Sequence, residues 1–294
     1  MIEMAFEGLR PTPQPFLEVS TPYEEAEYVI FGAPIDETAS HRRGARFAPQ
    51  AIRRESIHLE TYSSRTGLFF EDLRVADVGD VEASNLEEAL NRIEGVVKRI
   101  AGDGKMPMMI GGEHTATLSA LRALRPQLVI SLDAHLDLRD RLLGFTLSHG
   151  TFMRRALEEL DHRLVVVGCR ALSREELQYA EGLSDRVRLI RAGEELDEGL
   201  GMISEWLEAS PRVYVTIDLD VLDPSEAPAV ANPAPEGLSV GRLLDLLQSF
   251  VDHRIVGLDV MEVSPYYDSG GASLLAAYVI LELLCLFERG RHTY

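Results

Sequence analysis

The chain has 294 residues, 46% of them hydrophobic and 26% charged, a composition that excludes a disordered or low-complexity protein. A net charge of -19 repels phosphate backbones and anionic lipid surfaces, so nucleic acid and membranes are excluded as expected partners and cationic small molecules are favoured. No Pro/Gly/Ser-rich linker or charge run divides the chain, which predicts a single domain over 1–294.

Along the chain, the first sixteen residues include Glu3 and Glu7 and no apolar core of the signal-peptide kind, which predicts a cytoplasmic location. Short runs rich in Val and Ile then recur at Tyr28 to Phe31, Val75 to Val78, Met106 to Ile110, Leu128 to Leu132, Leu164 to Val167, Val187 to Ile190, Val213 to Ile217 and Ile255 to Leu258. Most are continuously apolar, as for strands buried on both faces. Helical spacing fills the gaps, as in Leu86, Leu90, Ile93, Val97 and Ile100, or Leu238, Leu243, Leu246, Leu247 and Phe250. The alternation predicts an α/β fold, a parallel sheet with helices on both faces. Helix starts are expected at Ser84 or Asn85, at Ser173 and at Ser239, each a capping residue ahead of a helical stripe. Cys169 and Cys285 are too isolated for a disulfide framework or a thiolate zinc site and read as buried, reduced thiols. The longest apolar run, Leu274 to Phe287, is broken by Glu282 and falls short of the roughly 20 residues that span a bilayer, so it reads as a buried helix.

Four of the strand-like runs end in polar clusters: Gly111-Gly112-Glu113-His114, Asp133-Ala134-His135-Leu136-Asp137, Asp218-Leu219-Asp220 and Asp259-Val260-Met261-Glu262. In an open parallel sheet these ends share one edge, where ligands bind. Convergence there of His114, Asp133, His135, Asp137, Asp218 and Asp220 would be strongly repulsive without cations, which points to a metal site. Extended geometry would put Asp133, His135 and Asp137 on one face, and Asp218 and Asp220 likewise. A carboxylate-dominated donor set suits a pair of hard or borderline ions; manganese fits, and zinc, iron, cobalt and nickel stay open.

With these motifs in place the chain resembles the ureohydrolase family, which includes agmatinase, arginase, guanidinobutyrase and formimidoylglutamase. The likeness runs from Gly32-Ala33-Pro34-Ile35-Asp36 and the segment from Arg42 to Arg53, through the clusters above and Ser148-His149-Gly150-Thr151, to Asp218 through Pro224 and Asp259 through Pro265. The resemblance implies a three-layer αβα fold around a parallel sheet of about eight strands, two Mn2+ per subunit, and a homotrimer or homohexamer. One ion would be held by His114, Asp133, Asp137 and Asp218, and the other by Asp133, His135, Asp218 and Asp220, with Asp133 and Asp218 bridging. Such a centre stays anionic and welcomes a guanidinium, whose carbon needs a strong nucleophile generated beside it. Glu262 matches the glutamate that orients the guanidinium, and His149 a histidine that passes a proton to the departing amine.

The implied reaction is cleavage of agmatine to putrescine and urea, a step of polyamine biosynthesis. The loop from Leu138 to Leu147 lacks the arginase pattern and resembles agmatinases, while Arg139 and Arg141 keep a guanidino acid open. The alternatives are another guanidino or amidino hydrolase (guanidinobutyrase, arginase or formimidoylglutamase) and a catalytically silent member serving as a binding or assembly subunit. One departure stands out. After Ala227-Pro228 the family's Gly-Thr-Gly-Thr-Pro stretch is replaced by Ala229-Val230-Ala231-Asn232-Pro233, which removes access to positive φ and predicts a loop that differs near the site.

Overall fold

The computed structural model describes residues 8–193 and 195–291. Eight parallel strands occupy the eight apolar runs: β2 (Tyr28–Ala33), β3 (Val75–Val81), β4 (Met106–Gly111), β5 (Leu128–Leu132), β6 (Arg163–Cys169), β7 (Val187–Arg191), β8 (Val213–Asp218) and β9 (Ile255–Met261). A two-residue strand, β1 (Leu9–Arg10), adds antiparallel to β3 and completes the order β1-β3-β2-β4-β9-β8-β5-β6-β7. Two residues leave no periodic signature, so sequence pattern did not find β1.

Strand residues alternate between two cores, as the pleat requires. Tyr28, Ile30, Leu128 and Ile130 face α1 (Ala48–Ser56), α6 (Glu195–Glu208), α7 (Val240–Phe250) and α8 (Gly271–Arg291). Val29, Phe31 and Val129 face α2 (Leu86–Gly102), α3 (Thr117–Leu124), α4 (Phe152–Glu159) and α5 (Arg174–Glu181). The result is the expected αβα sandwich. The Leu274 to Phe287 run lies within α8, which is apolar and long enough to span a bilayer by composition, yet packs into the core. Its one acid, Glu282, is buried and accepts a hydrogen bond from Ser63 Oγ at 2.8 Å.

Caps set the helix starts. Asn85, rather than Ser84, caps α2 by accepting from Glu88 N at 2.9 Å. Ser173 and Glu176 form a reciprocal capping box on α5, and Ser239 caps α7. Leu238 therefore precedes α7 and bridges to Leu222 instead of joining the helical stripe. Cys169 and Cys285 are buried thiols, with Cys169 Sγ against the Ile190 carbonyl.

In the sheet order, β4, β9, β8 and β5 are consecutive and central. These are the strands whose ends carry the four polar clusters, so the fold gathers residues more than a hundred positions apart at one edge.

Candidate metal centre

His114 opens the turn after β4 and is buried. Its Nε2 lies 2.7 Å from Thr216 Oγ1, and the Thr216 hydroxyl donates to Asp259. Thr216 therefore accepts from His114 Nε2–H, which leaves Nδ1 facing inward. That Nδ1 stands 3.4 Å from Asp133, 3.6 Å from Asp137 and 3.3 Å from Asp218, and makes no hydrogen bond of acceptable geometry with any of them. A nitrogen nearly equidistant from three carboxylates suits coordination of a shared cation better than a hydrogen bond to one partner.

Backbone N–H groups orient the carboxylates around it. Asp133 Oδ1 accepts from His135 N at 2.6 Å and Asp218 Oδ1 from Asp220 N at 2.8 Å, which turns each Oδ2 towards His114. Asp220 Oδ1 takes Ala134 N at 3.1 Å, stitching the β8 end to the β5 end, and its Oδ2 meets His135 Nδ1 at 2.8 Å. The extended geometry expected of these segments does not persist. Asp137 enters the cluster through a left-handed backbone at φ 55°, and Asp218-Leu219-Asp220 folds into a tight turn. Glu262 is also left-handed, at φ 70°. Such positions cost about 1–3 kcal/mol each and persist where the surroundings enforce them, commonly at functional sites.

Two overlapping ligand sets result, His114 with Asp133 and Asp137, and Asp133 with His135 and Asp220, each with donor atoms within 4.8 Å of one another. Asp133 is common to both. Burial, then the neighbouring aspartates, push the Asp137 and Asp218 carboxyls well above their ordinary value. Burial lowers His135, but Asp220 and Asp133 outweigh it and carry it up to about 11. Without metal, protons must supply the positive charge that the cluster demands, and the donor set fits a pair of divalent cations.

Glu262, just past β9, is buried and accepts from His114 N through Oε1 at 2.6 Å; burial pushes it up to about 8. His149 precedes α4. Burial, then the nearby imidazoles of His135 and His114, bring it down to about 4. Both line a cavity of about 190 Å³ with His135, Asp218, Arg139 and Asn232.

Several site residues left no signal in the sequence. Arg170 donates to the carbonyls of Asp220, Val221, Leu222, Ala234, Pro235 and Gly168, tying the β6, β8 and 229–235 loops together. Ser40 Oγ lies 3.0 Å from His149 Nε2 and donates to Asn232 at 3.2 Å. Asp259 was part of a recognised cluster without a role. It receives hydroxyls from Tyr214, Thr117 and Thr216 beneath His114. Glu176, the capping-box partner of Ser173, also lines the cavity.

The chain matches the arginase family model over residues 26–285. The chain belongs to the arginase family. With this family it joins the agmatinase-like hydrolases of amidino C–N bonds. It is 36% identical to human "Guanidino acid hydrolase, mitochondrial", covering 93% of this chain and 82% of that protein. It is 34% identical to the guanidinobutyrase of Pseudomonas aeruginosa, covering 92% and 90%. The crystal structure of agmatine ureohydrolase of Thermoplasma volcanium superposes with a TM-score of 0.86 at 36% identity, covering 95% of each chain.

For this arginase-family chain the protonation pattern predicts how stability varies with pH when metal is stripped. Glu262 rises from 4.5 to about 8 and His135 from 6.5 to about 11, so above pH 6.5 both groups in the folded chain hold protons that they have lost in the unfolded chain. Stability supplied by those protons is complete below the unfolded values and is lost as pH rises through the folded ones. Metal binding runs the other way, because ligands must be deprotonated. Two ions at about a hundredfold excess over Kd contribute about 5 kcal/mol, or roughly 10 °C in Tm. Thermal melts of stripped and manganese-loaded protein at pH 6 and pH 8.5 should show the gap widening with pH; identical melts at pH 8.5 would contradict the metal assignment.

Proposed function

We propose that this chain is a binuclear manganese hydrolase that cleaves agmatine to putrescine and urea. The observation that carries the reading is the pair of candidate ligand sets sharing Asp133, of which His114, His135, Asp137 and Asp220 line a cavity that also presents Glu262 and His149. One ion is assigned to His114, Asp133, Asp137 and Asp218, and the other to Asp133, His135, Asp218 and Asp220. When bound, the ions neutralise the aspartates and acidify a water into a nucleophile at neutral pH.

The chain's own residues do the rest. Glu262 is fixed by His114 N through one oxygen, and its carboxylate accepts N–H groups of the planar guanidinium, orienting the carbon above the cluster. A cation beside it lowers its proton affinity, so substrate itself favours the ionised form that binds it. His149 carries a proton to the departing amine; its environment disfavours the imidazolium, which makes it a ready donor once protonated.

Substrate choice turns on two cavity residues. Glu176 offers an acceptor for the distal ammonium of agmatine, and Arg139 lies 3.6 Å from it. Arg141 is exposed and does not line the cavity. Arg139 supports a second reading, a guanidino acid whose carboxylate replaces Glu176 as its partner. Urea release measured side by side on agmatine, 4-guanidinobutyrate and arginine separates them. Agmatine is expected to be fastest, and Arg139→Ala is expected to change its kcat/KM by no more than about tenfold. A preference for guanidinobutyrate that Arg139→Ala abolishes would establish the second reading, and absence of urea from all three would refute both.

The chain is read as one domain over 1–294 acting in the cytoplasm, within a homotrimer or homohexamer. Exposed aromatic pairs, Phe47 with Tyr266 and Tyr62 with Phe69, support burial between subunits.

A further inference from the structure

The loop after β2 reaches the candidate site because Gly112 lets it approach. A Cβ on Gly112 would lie 2.0 Å from the Ile35 carbonyl oxygen, and Glu113 N donates to that oxygen at 2.7 Å. The close approach brings Thr38 against Glu113, and both are buried. Glu113 accepts from Thr38 N at 2.7 Å, from Thr38 Oγ1 at 2.8 Å and from Thr115 Oγ1 at 2.7 Å. Three donors converge on one carboxylate, so the Thr38 hydroxyl proton is committed to it. The lone pairs of Thr38 Oγ1 then face His149, whose backbone N donates to that oxygen at 3.1 Å and whose Nδ1 lies 3.4 Å from it. With its only proton directed elsewhere, Thr38 can only accept from the ring.

We propose that Thr38 and Glu113 are a positioning dyad for His149. Glu113 takes the Thr38 proton, Thr38 takes the His149 Nδ1 proton, and Nε2 is thereby fixed as the atom that faces the cavity. One oxygen grips both the backbone and the ring of His149, which sets the tilt of the imidazole as well as its tautomer. On the other side Ser40 Oγ meets Nε2 at 3.0 Å, and this hydroxyl turns between Nε2 and Asn232 as the proton comes and goes. When Nε2 is protonated, the Nδ1–Thr38–Glu113 line supports the added positive charge; when Nε2 gives its proton up, the same line keeps the ring aimed.

The proposal rests on His149 as proton carrier, so its test separates the two. Thr38→Val keeps the shape and the backbone bond to Glu113 and removes the hydroxyl, whereas Thr38→Ser keeps the hydroxyl. Urea kinetics on manganese-loaded protein would use whichever of agmatine, 4-guanidinobutyrate or arginine the wild type turns over fastest, with metal content and Tm measured for each variant. Thr38→Val is expected to lower kcat by about ten- to a hundredfold with KM within about twofold, and Thr38→Ser to restore most of it. In a His149→Asn background the same Thr38→Val change should cost less than about twofold, because nothing remains to position. An equal loss in both backgrounds would overturn the dyad while leaving the proton carrier intact. Full activity of His149→Asn would overturn the carrier itself, and the dyad with it. Should Thr38→Val fail to fold, Glu113→Gln serves: its amide can donate to Thr38 Oγ1 and reverse the line, so kcat should fall in the wild-type background and not in His149→Asn.

Discussion

Asp133→Ala should abolish binding of both ions and lower urea release by at least about 10³-fold, the largest effect expected of a single substitution in this chain. The reason is geometric. Asp133 is common to both candidate ligand sets, with Oδ2 turned to His114 and Oδ1 anchored on His135 N. Losing it removes a donor from each set and releases the backbone that aims His135. Asp133→Asn keeps an oxygen for His135 N and nearly the same volume, so its metal-free form should melt no lower than metal-free wild type while losing urea release nearly as completely. Burial and Asp220 already raise the Asp133 carboxyl, so removing its charge relieves repulsion in the stripped protein. Metal content by elemental analysis, kcat and Tm on the same samples would check this. Retention of two ions by Asp133→Ala would refute the shared-ligand arrangement.

Glu262→Gln should lower kcat/KM by about 10²- to 10³-fold while leaving the metal content unchanged. The glutamine oxygen can still accept from His114 N, so the local backbone is preserved. On the proposed reading, what disappears is the negative charge that faces the guanidinium, along with one acceptor of a two-bond fork; charge-assisted bonds of this kind contribute about 1.5–3 kcal/mol each. Steady-state kinetics with parallel metal analysis would separate the two variants, because Asp133→Ala loses both quantities and Glu262→Gln only one. A fall in metal content on Glu262→Gln would instead make this residue part of the ligand set.

Much of the fold was legible because its signals are local. Eight runs of Val and Ile became eight parallel strands, and polar residues at four run ends became one cluster, since parallel strands bring their carboxyl ends to one edge. The local geometry of the ligands was less legible. Alternation of side chains along an extended segment predicted a shared face for Asp133, His135 and Asp137, but the left-handed backbone at Asp137 does that work, and no residue type announces it. Least legible were contacts between distant segments. Thr38 and Ser40 meet His149 across 111 and 109 positions, and Arg170 reaches carbonyls 50 to 65 positions away. Hydrogen bonds over such separations leave neither periodicity nor a motif.

The Ala229-Val230-Ala231-Asn232 departure shows the converse, a sequence oddity with a plain structural answer. Ser264 N donates to the Ala229 carbonyl, Ala231 N to the Glu262 carbonyl, and Val230 bridges Val263, so the segment runs as a short antiparallel ladder beside the Glu262 strand end. None of these four residues has positive φ, and the methyl groups of Ala229, Val230 and Ala231 are buried. Glycine is not required where the backbone is extended and paired. Asn232 then emerges at the cavity wall beside Ser40, which places a polar side chain against the proposed proton carrier.

The cluster is proposed to hold two divalent cations through a shared aspartate. Equilibrium titration of the metal-free chain with Mn2+, counting bound ions per subunit, tests it most directly. Two ions bound by the wild type and none by Asp133→Ala is the predicted result. A single ion, or binding that survives Asp133→Ala unchanged, would contradict it.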